Sequence, residues 1–253
     1  MNYNQIAEQL DIAALNANPV PQISLNRNLN IEEAYGVQSI LLSRRYIRGE
    51  KLVGLKLGFT SKAKMEQMGV HDMIWGRLTD EMQVQSGGDL PKAKCIHPRA
   101  EPEIAFLFKK RVDKILEEKD LLEYVESVAV AIEIIDSRYE NFKFSLEDVV
   151  ADNCSSAGFS IGQWLPPQTN IKNIAIELSV DGEVINSGSS DAILGNPLES
   201  LKAVSRLALK YGEILDKGSI VLAGAATPAI FIEKGNTITA TAEGLGSVSM
   251  NIT

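Results

Sequence analysis

Residues 128–135, Val-Ala-Val-Ala-Ile-Glu-Ile-Ile, form a nearly continuous apolar run broken by one carboxylate, and this run constrains the fold more than any other segment. A run so short and so rich in branched side chains reads as a strand covered on both faces. Burying Glu133 inside it costs several kcal/mol of desolvation unless the carboxylate is paired or bound to a cation. A second segment supplies company for it. Along Glu101-Pro-Glu-Ile-Ala-Phe-Leu-Phe108, residues two apart share a strand face, which groups Glu101 and Glu103 with Ala105 and Leu107. Glu133 shares its own face with Ala129, Ala131 and Ile135. Three carboxylates converging beside small side chains suit a hard divalent cation such as Mg²⁺, with coordination positions left for substrate. The competing reading puts Glu101 and Glu103 on a solvated face and pairs Glu133 with a base such as Arg138. Spacing alone leaves both open.

The totals narrow the class of protein. A chain of 253 residues buries a substantial core, as one large domain or two small ones. A net charge of −8 argues against nucleic acid and anionic membranes as partners, because both demand a basic footprint. No stretch approaches the roughly 20 apolar residues that span a bilayer. The start, Met-Asn-Tyr-Asn-Gln-Ile, has neither a basic nor an apolar leader region, and the expectation is a soluble cytoplasmic protein. Cys95 and Cys154 fit no metal or redox spacing and read as reduced thiols.

The order of elements predicts an α+β fold. Helical spacing runs over 3–17, and Asn30 caps a second helix over 31–48 with Gly49 as its stop. Lys51 to Phe59 reads as a strand, after which Thr60 or Ser61 caps a short helix ending at Gly69. A charged surface helix is expected over 113–125, a short helix over 144–150 and a strand over 159–164. Asp181-Gly182 marks a hairpin turn, and Pro197 to Tyr211 is a crossover helix stopped by Gly212. Short β-rich runs fill 219–253. The expected division is a helical N-terminal α+β region, 1–85, and a mixed-β core, 86–253, unless the two form one continuous domain.

Lys56 is the second informative position. It shares a strand face with Gly54 and Gly58, and glycines within a strand mark close approach of a ligand or another backbone. A surface lysine on an edge strand is the plainer alternative. Asp80, Asp152 and Asn153 stand at element ends, where polar residues contact ligands or simply form turns. His71 and His97 are isolated, and Gly244-Leu-Gly-Ser has no following helix to make it a phosphate loop.

Five strings occur in order: Val53-Gly-Leu-Lys56-Leu-Gly58, His97-Pro-Arg-Ala-Glu101-Pro-Glu103, Glu133-Ile-Ile-Asp136-Ser-Arg138, Val150-Ala-Asp152-Asn153 and Gly244-Leu-Gly-Ser-Val-Ser249. Together they resemble the 2-oxopent-4-enoate hydratase and 4-oxalocrotonate decarboxylase family of the fumarylacetoacetate hydrolase-like superfamily. The resemblance runs from about residue 30 to the C-terminus. The string Asp136 to Phe144 favours the decarboxylase branch, as does Ala63-Lys-Met-Glu-Gln-Met-Gly69. It implies a mixed β-sheet or β-roll core and an Mg²⁺- or Mn²⁺-dependent lyase of aromatic meta-cleavage catabolism. Glu101, Glu103 and Glu133 would be the metal ligands, Lys56 and Asp80 the catalytic residues, and Asp152 and Asn153 substrate contacts. The implied reaction is decarboxylation of 2-oxohex-3-enedioate (4-oxalocrotonate) to 2-hydroxypenta-2,4-dienoate. The alternatives are hydration of that dienoate to 4-hydroxy-2-oxopentanoate, hydrolytic C–C cleavage, and a non-catalytic assembly subunit. A homo-oligomer associated with the pathway hydratase is also implied. Asn196-Pro197 and Ala223-Gly-Ala-Ala-Thr-Pro228 depart from the family pattern, and Pro102 requires that its strand be an edge or carry a bulge.

Overall fold

The structure is a computed structural model that describes residues 2–60 and 72–253. The expected helix ending at Gly69, the Ala63–Gly69 string and His71 lie outside the described residues.

Two helices open the chain, α1 (Tyr3–Asn16) and α2 (Ile31–Ile47). Both begin with a reciprocal cap, Asn2 with Gln5 and Asn30 with Glu33, which satisfies N–H groups that have no partner inside the helix. Buried Asp11 ties the pair together, accepting from Arg48 at 2.7 Å and Arg44 at 2.9 Å. No described helix is long and apolar enough to cross a membrane.

The strands are β1 (Leu52–Gly58), β2 (Ile74–Thr79), β3 (Asp89–Leu90), β4 (Arg99–Phe108), β5 (Val125–Ile135), β6 (Ser156–Ile161), β7 (Ala175–Val180), β8 (Glu183–Ser189), β9 (Ile220–Ala225), β10 (Ile230–Phe231), β11 (Thr237–Ala242) and β12 (Gly246–Ile252). One sheet has the order β2-β1-β9-β4-β5-β6, with β10 also paired to β4; the other has the order β3-β12-β11-β7-β8. Both are mixed, since β1–β9 and β12–β3 are parallel and the other pairs antiparallel. Short helices α3 (Leu121–Tyr124) and α4 (Leu146–Ala151) flank β5, and α5 (Leu198–Tyr211) carries the chain from the second sheet back to the first. Asp181 and Gly182 both take positive φ in the β7–β8 turn, the conformation an Asp-Gly hairpin turn requires. This is the mixed-sheet α+β arrangement expected.

Three local expectations change. The charged segment 113–125 is not one helix. It contains a 3₁₀ turn at Glu118–Asp120 and the single turn of α3, and Val125 already begins β5. The helix at 144–150 and the strand at 159–164 are shifted slightly, to 146–151 and 156–161. Pro102 sits on an interior strand, with the irregularity on the β9 side between Glu103 and Ala105. β1 is likewise interior, between β2 and β9, so Lys56 is not on an edge. Because β1 and β2 hydrogen-bond into the same sheet as β4, β5 and β9, a line at 85/86 runs through one continuous layer. Gly54 shows why β1 fits there: a Cβ on it would lie 1.8 Å from the Ile220 carbonyl oxygen of β9. The close approach its glycine marks is that of a backbone.

Candidate metal and substrate site

Register brings the acids together. In the β4–β5 ladder Glu101 stands directly opposite Glu133, and Glu103 opposite Ala131. Directly opposed residues project on the same face with Cβ atoms about 5 Å apart. Each of the three glutamates offers one carboxylate oxygen within 4.8 Å of the others. Glu103 and Glu133 are fully buried and Glu101 is nearly so, above the small side chains of Ala105, Ala129 and Ala131.

The cluster is incompletely satisfied by protein. Glu103 Oε2 accepts a hydrogen bond of 2.7 Å from the Gly224 N–H, whereas Glu103 Oε1 and Glu133 Oε1 have no hydrogen-bond partner. Glu133 Oε2 faces Lys56 Nζ at 2.9 Å as an ion pair without hydrogen-bond alignment. Buried carboxylate oxygens left bare are costly, and a divalent cation with oxygen preference is the group that would satisfy them. The donor set therefore fits Mg²⁺ or Mn²⁺.

Lys56 enters this cluster from β1 and is only 4 % exposed. Its ammonium also donates to the Cys154 carbonyl at 3.4 Å. That carbonyl belongs to a turn in which Asn153, Cys154 and Ser155 all have positive φ, between 51° and 58°. Three non-glycine residues in this region store strain that the surroundings must hold. The Asn153 side chain does so by accepting from the Arg77 N–H at 2.8 Å and donating to the Arg77 carbonyl at 2.9 Å. Asp152 adds the buried ion pair with Arg138 and accepts from the Arg138 N–H at 2.9 Å.

Charge in the pocket is unbalanced. Burial pushes the Glu133 carboxyl up to about 7, with Lys56 pulling against it and Glu101 adding to the rise. Glu103 is held well above the usual carboxylate range, first by burial and then by Glu133. Burial alone would lower the Lys56 amine, but the Glu133 carboxylate leads a group of neighbours that outweighs it and keeps the ammonium charged. Among the described residues one ammonium faces the buried carboxyls of Glu103 and Glu133, so without a cation these two hold on to protons. A bound cation reverses that balance.

The structure does not gather every residue singled out from sequence. Asp80 accepts from the Lys51 N–H at 2.8 Å and the Glu81 N–H at 3.1 Å, capping the end of the β1–β2 ladder. Five strand residues, about 16 Å, separate Lys51 from Lys56. These contacts place Asp80 at the turn where β2 ends beside Lys51, toward the other end of β1 from Lys56. Asp152 and Asn153 adjoin the site and are buried, with polar atoms bonded to Arg138 and Arg77, an arrangement that buttresses the turn facing Lys56. Arg138 pairs with Asp152, so it is not the partner of Glu133. His97 lies beside the Phe142 ring with Nε2 unpartnered.

Two contributors were not singled out from sequence. Gly224 has φ of +114°, and a Cβ there would lie 2.1 Å from Thr60 Oγ1. Only glycine fits, and its N–H orients Glu103. Its signal was a glycine between alanines in a β run. The other is Arg99, one step back along the alternation of Glu101 and Glu103. A cleft of about 660 Å³ also opens between the N-terminal helices and residues 81–95, but it contains none of the glutamates and not Lys56, and its arginines are paired to Asp11, Glu50 and Asp152.

Comparison with known proteins gives the family and the fold. Residues 78–253 match the family described as fumarylacetoacetate (FAA) hydrolase C-terminal. A 4-oxalocrotonate decarboxylase from Pseudomonas sp is 47 % identical over 253 residues, covering 100 % of this chain and 99 % of that one. A 2-hydroxyhexa-2,4-dienoate hydratase from Comamonas testosteroni is 33 % identical, covering 89 % and 87 %. Among solved structures, 4-oxalocrotonate decarboxylase from Pseudomonas putida G7, complexed with magnesium and adipate, superposes with a TM-score of 0.94 at 35 % identity, covering 99 % of this chain and 97 % of that one.

Proposed function

Because this chain belongs to the fumarylacetoacetate hydrolase family, we propose that it is a divalent-metal-dependent lyase that decarboxylates 2-oxohex-3-enedioate to 2-hydroxypenta-2,4-dienoate. The observation that carries the reading is the buried trio Glu101, Glu103 and Glu133, in which Glu103 and Glu133 have carboxylate oxygens left bare. The full-length likeness to a 4-oxalocrotonate decarboxylase supports this reaction over hydration. The three glutamates would hold Mg²⁺ or Mn²⁺. When bound, the ion supplies positive charge for the electron density that builds on the substrate's 2-oxo oxygen.

The reaction is balanced without an oxidant. The bond to the distal carboxyl carbon breaks and CO₂ leaves. Its electron pair forms the terminal double bond, the original double bond moves one position inward, and the 2-oxo oxygen gains a pair and then a proton. Lys56 holds its proton at Nζ, kept charged by Glu133, and presents that ammonium to the developing anion. The Cys154 carbonyl fixes where the ammonium points. Phe142 and Phe144, with ring centroids 5.6 Å apart, form an apolar flank that keeps water from the carboxylate that leaves. Mg²⁺-loaded protein given 2-oxohex-3-enedioate should evolve one CO₂ per dienol formed. Turnover of 2-hydroxypenta-2,4-dienoate to 4-hydroxy-2-oxopentanoate without any CO₂ from the dicarboxylate would place the chain with the hydratases instead.

The same reading makes the enzyme a cytoplasmic homo-oligomer that associates with the pathway hydratase. Its support is the edge strand β8, where Val184 and Ile185 are about half exposed and no described strand pairs with the outer side. Light scattering at micromolar concentration should give a mass at least twice that of one chain, and a strict monomer would refute the oligomer. Co-purification with the hydratase is the separate test of that association.

A further inference from the structure

Arg99 stands two residues before Glu101 on β4, on the face that carries the glutamates. Its guanidinium carbon lies 3.9 Å from the centroid of the Phe142 ring and 4.2 Å from that of Phe231. Phe231 is directly opposite Arg99 in the β4–β10 pair, so register places that ring on it. Two aromatic rings thus hold the cation, while its N–H groups find no acceptor among the described residues, and Nε is buried without a partner. Every other described arginine near the site has a carboxylate: Arg138 has Asp152 and Arg77 has Glu213. A guanidinium fixed by ring contacts and lacking any acceptor is preorganised for a planar anion, because its donor fork matches a carboxylate bidentately.

We propose that Arg99, held by Phe142 and Phe231, binds the distal carboxylate of the substrate and makes the site selective for 2-oxo dicarboxylates over 2-oxo monocarboxylates. The inference rests on the proposed decarboxylase reading and adds the residue that recognises the far end. The Cα atoms of Arg99 and Glu101 are about 6.6 Å apart along the strand, close to the span between the carboxyl carbons of an extended six-carbon dicarboxylate. With the 2-oxo end at the glutamates, the other carboxylate reaches Arg99. That group loses its charge as CO₂ forms, so the contact aligns and selects the substrate and is not strengthened in the transition state.

The test compares 2-oxoadipate with 2-oxohexanoate, which differ only in the distal carboxylate, by calorimetry on Mg²⁺-loaded protein. The wild type should bind the dicarboxylate about 10- to 100-fold more tightly, the range of a charge-assisted bidentate contact. Arg99→Met should bring the two within about 3-fold, leaving Mg²⁺ affinity and 2-oxohexanoate affinity within about 3-fold of wild type. In turnover the loss should fall on KM and not on kcat. Phe231 is 65 % exposed, so Phe231→Ala leaves the core intact and should still shrink the preference by loosening the guanidinium. A preference that survives Arg99→Met, or equal weakening of both acids, overturns the assignment of Arg99 alone. A wild type that binds neither acid overturns it together with the decarboxylase reading. Should Arg99→Met not fold, Arg99→Lys decides on the same criteria, since lysine keeps the charge and lacks the fork.

Discussion

Glu133→Gln is expected to lower kcat/KM by about 1,000-fold or more, roughly 4 kcal/mol of transition-state stabilisation, while leaving the metal-free fold no less stable than wild type. Glu133 is fully buried opposite Glu101, and its carboxylate competes with Glu103 for the single ammonium of Lys56. Removing one negative charge from that group relieves repulsion, and Lys56 keeps Glu103 and Glu101 as counter-charges. A cation would lose an anionic ligand. At Mg²⁺ about 100 times Kd the wild type should gain about 2.7 kcal/mol by mass action, and the variant little of it at the same concentration. Thermal melts with and without Mg²⁺ measure both. The pH dependence has a definite sign. A carboxyl pushed up to about 7 by burial makes the metal-free folded chain bind more protons than the unfolded chain between the ordinary glutamate value and 7. Stability therefore falls as pH rises through that window, and Glu133→Gln should flatten the slope. A variant with wild-type activity and an intact Mg²⁺ shift would rule out Glu133 as a ligand.

Lys56→Met should act on stability in the opposite direction. It leaves buried Glu133 and Glu103 without the ammonium that faces them among the described residues, and breaking a buried pair from one side costs about 3–5 kcal/mol. Mg²⁺ should recover much of that loss by supplying the missing positive charge. Activity should not recover with it. kcat/KM is expected to remain down by about 100-fold or more, about 2.7 kcal/mol, because the ammonium presented to the developing anion is absent. Lys51→Met is the control: it lies on the same stretch of chain, but its side chain is exposed and should be nearly silent. A loss confined to KM would make Lys56 a ground-state anchor. Wild-type turnover by Lys56→Met on both the dicarboxylate and the dienoate would mean that the active site lies elsewhere.

These opposite signs come from parts of the site that were legible to different degrees. The three glutamates could be grouped from sequence because strand alternation is a local property: a period of two fixes which residues share a face, and a carboxylate inside an apolar run needs a partner. Apolar spacing announced α1, and capping signals announced α2 and the stop of α5, since both kinds of signal join residues three or four apart. The charged segment 113–125 misled because composition there resembles a surface helix, while the chain spends those residues on turns leading into β5. Asp80 shows a related ambiguity. A polar residue at an element end has the same local appearance whether it faces a ligand or, as here, satisfies the N–H groups of Lys51 and Glu81.

Strand alternation, the ends of the helices and the need of Glu133 for positive charge are local and can be read along the chain. Which charge answers that need depends on how the strands assemble. Lys56 reaches Glu133 because β1 is interior and runs parallel to β9, a pairing made possible where Gly54 lets the Ile220 carbonyl close in. Gly224 presents its N–H to Glu103 because the β4–β9 register shifts at that point, and Arg99 lies under Phe231 because β10 pairs back onto β4. Each of these contacts joins residues from separate strands, and their positions depend on the register and sheet order set by packing of the whole chain. Local periodicity carries no information about either, so the chemistry of single residues could be read in advance while their partners could not.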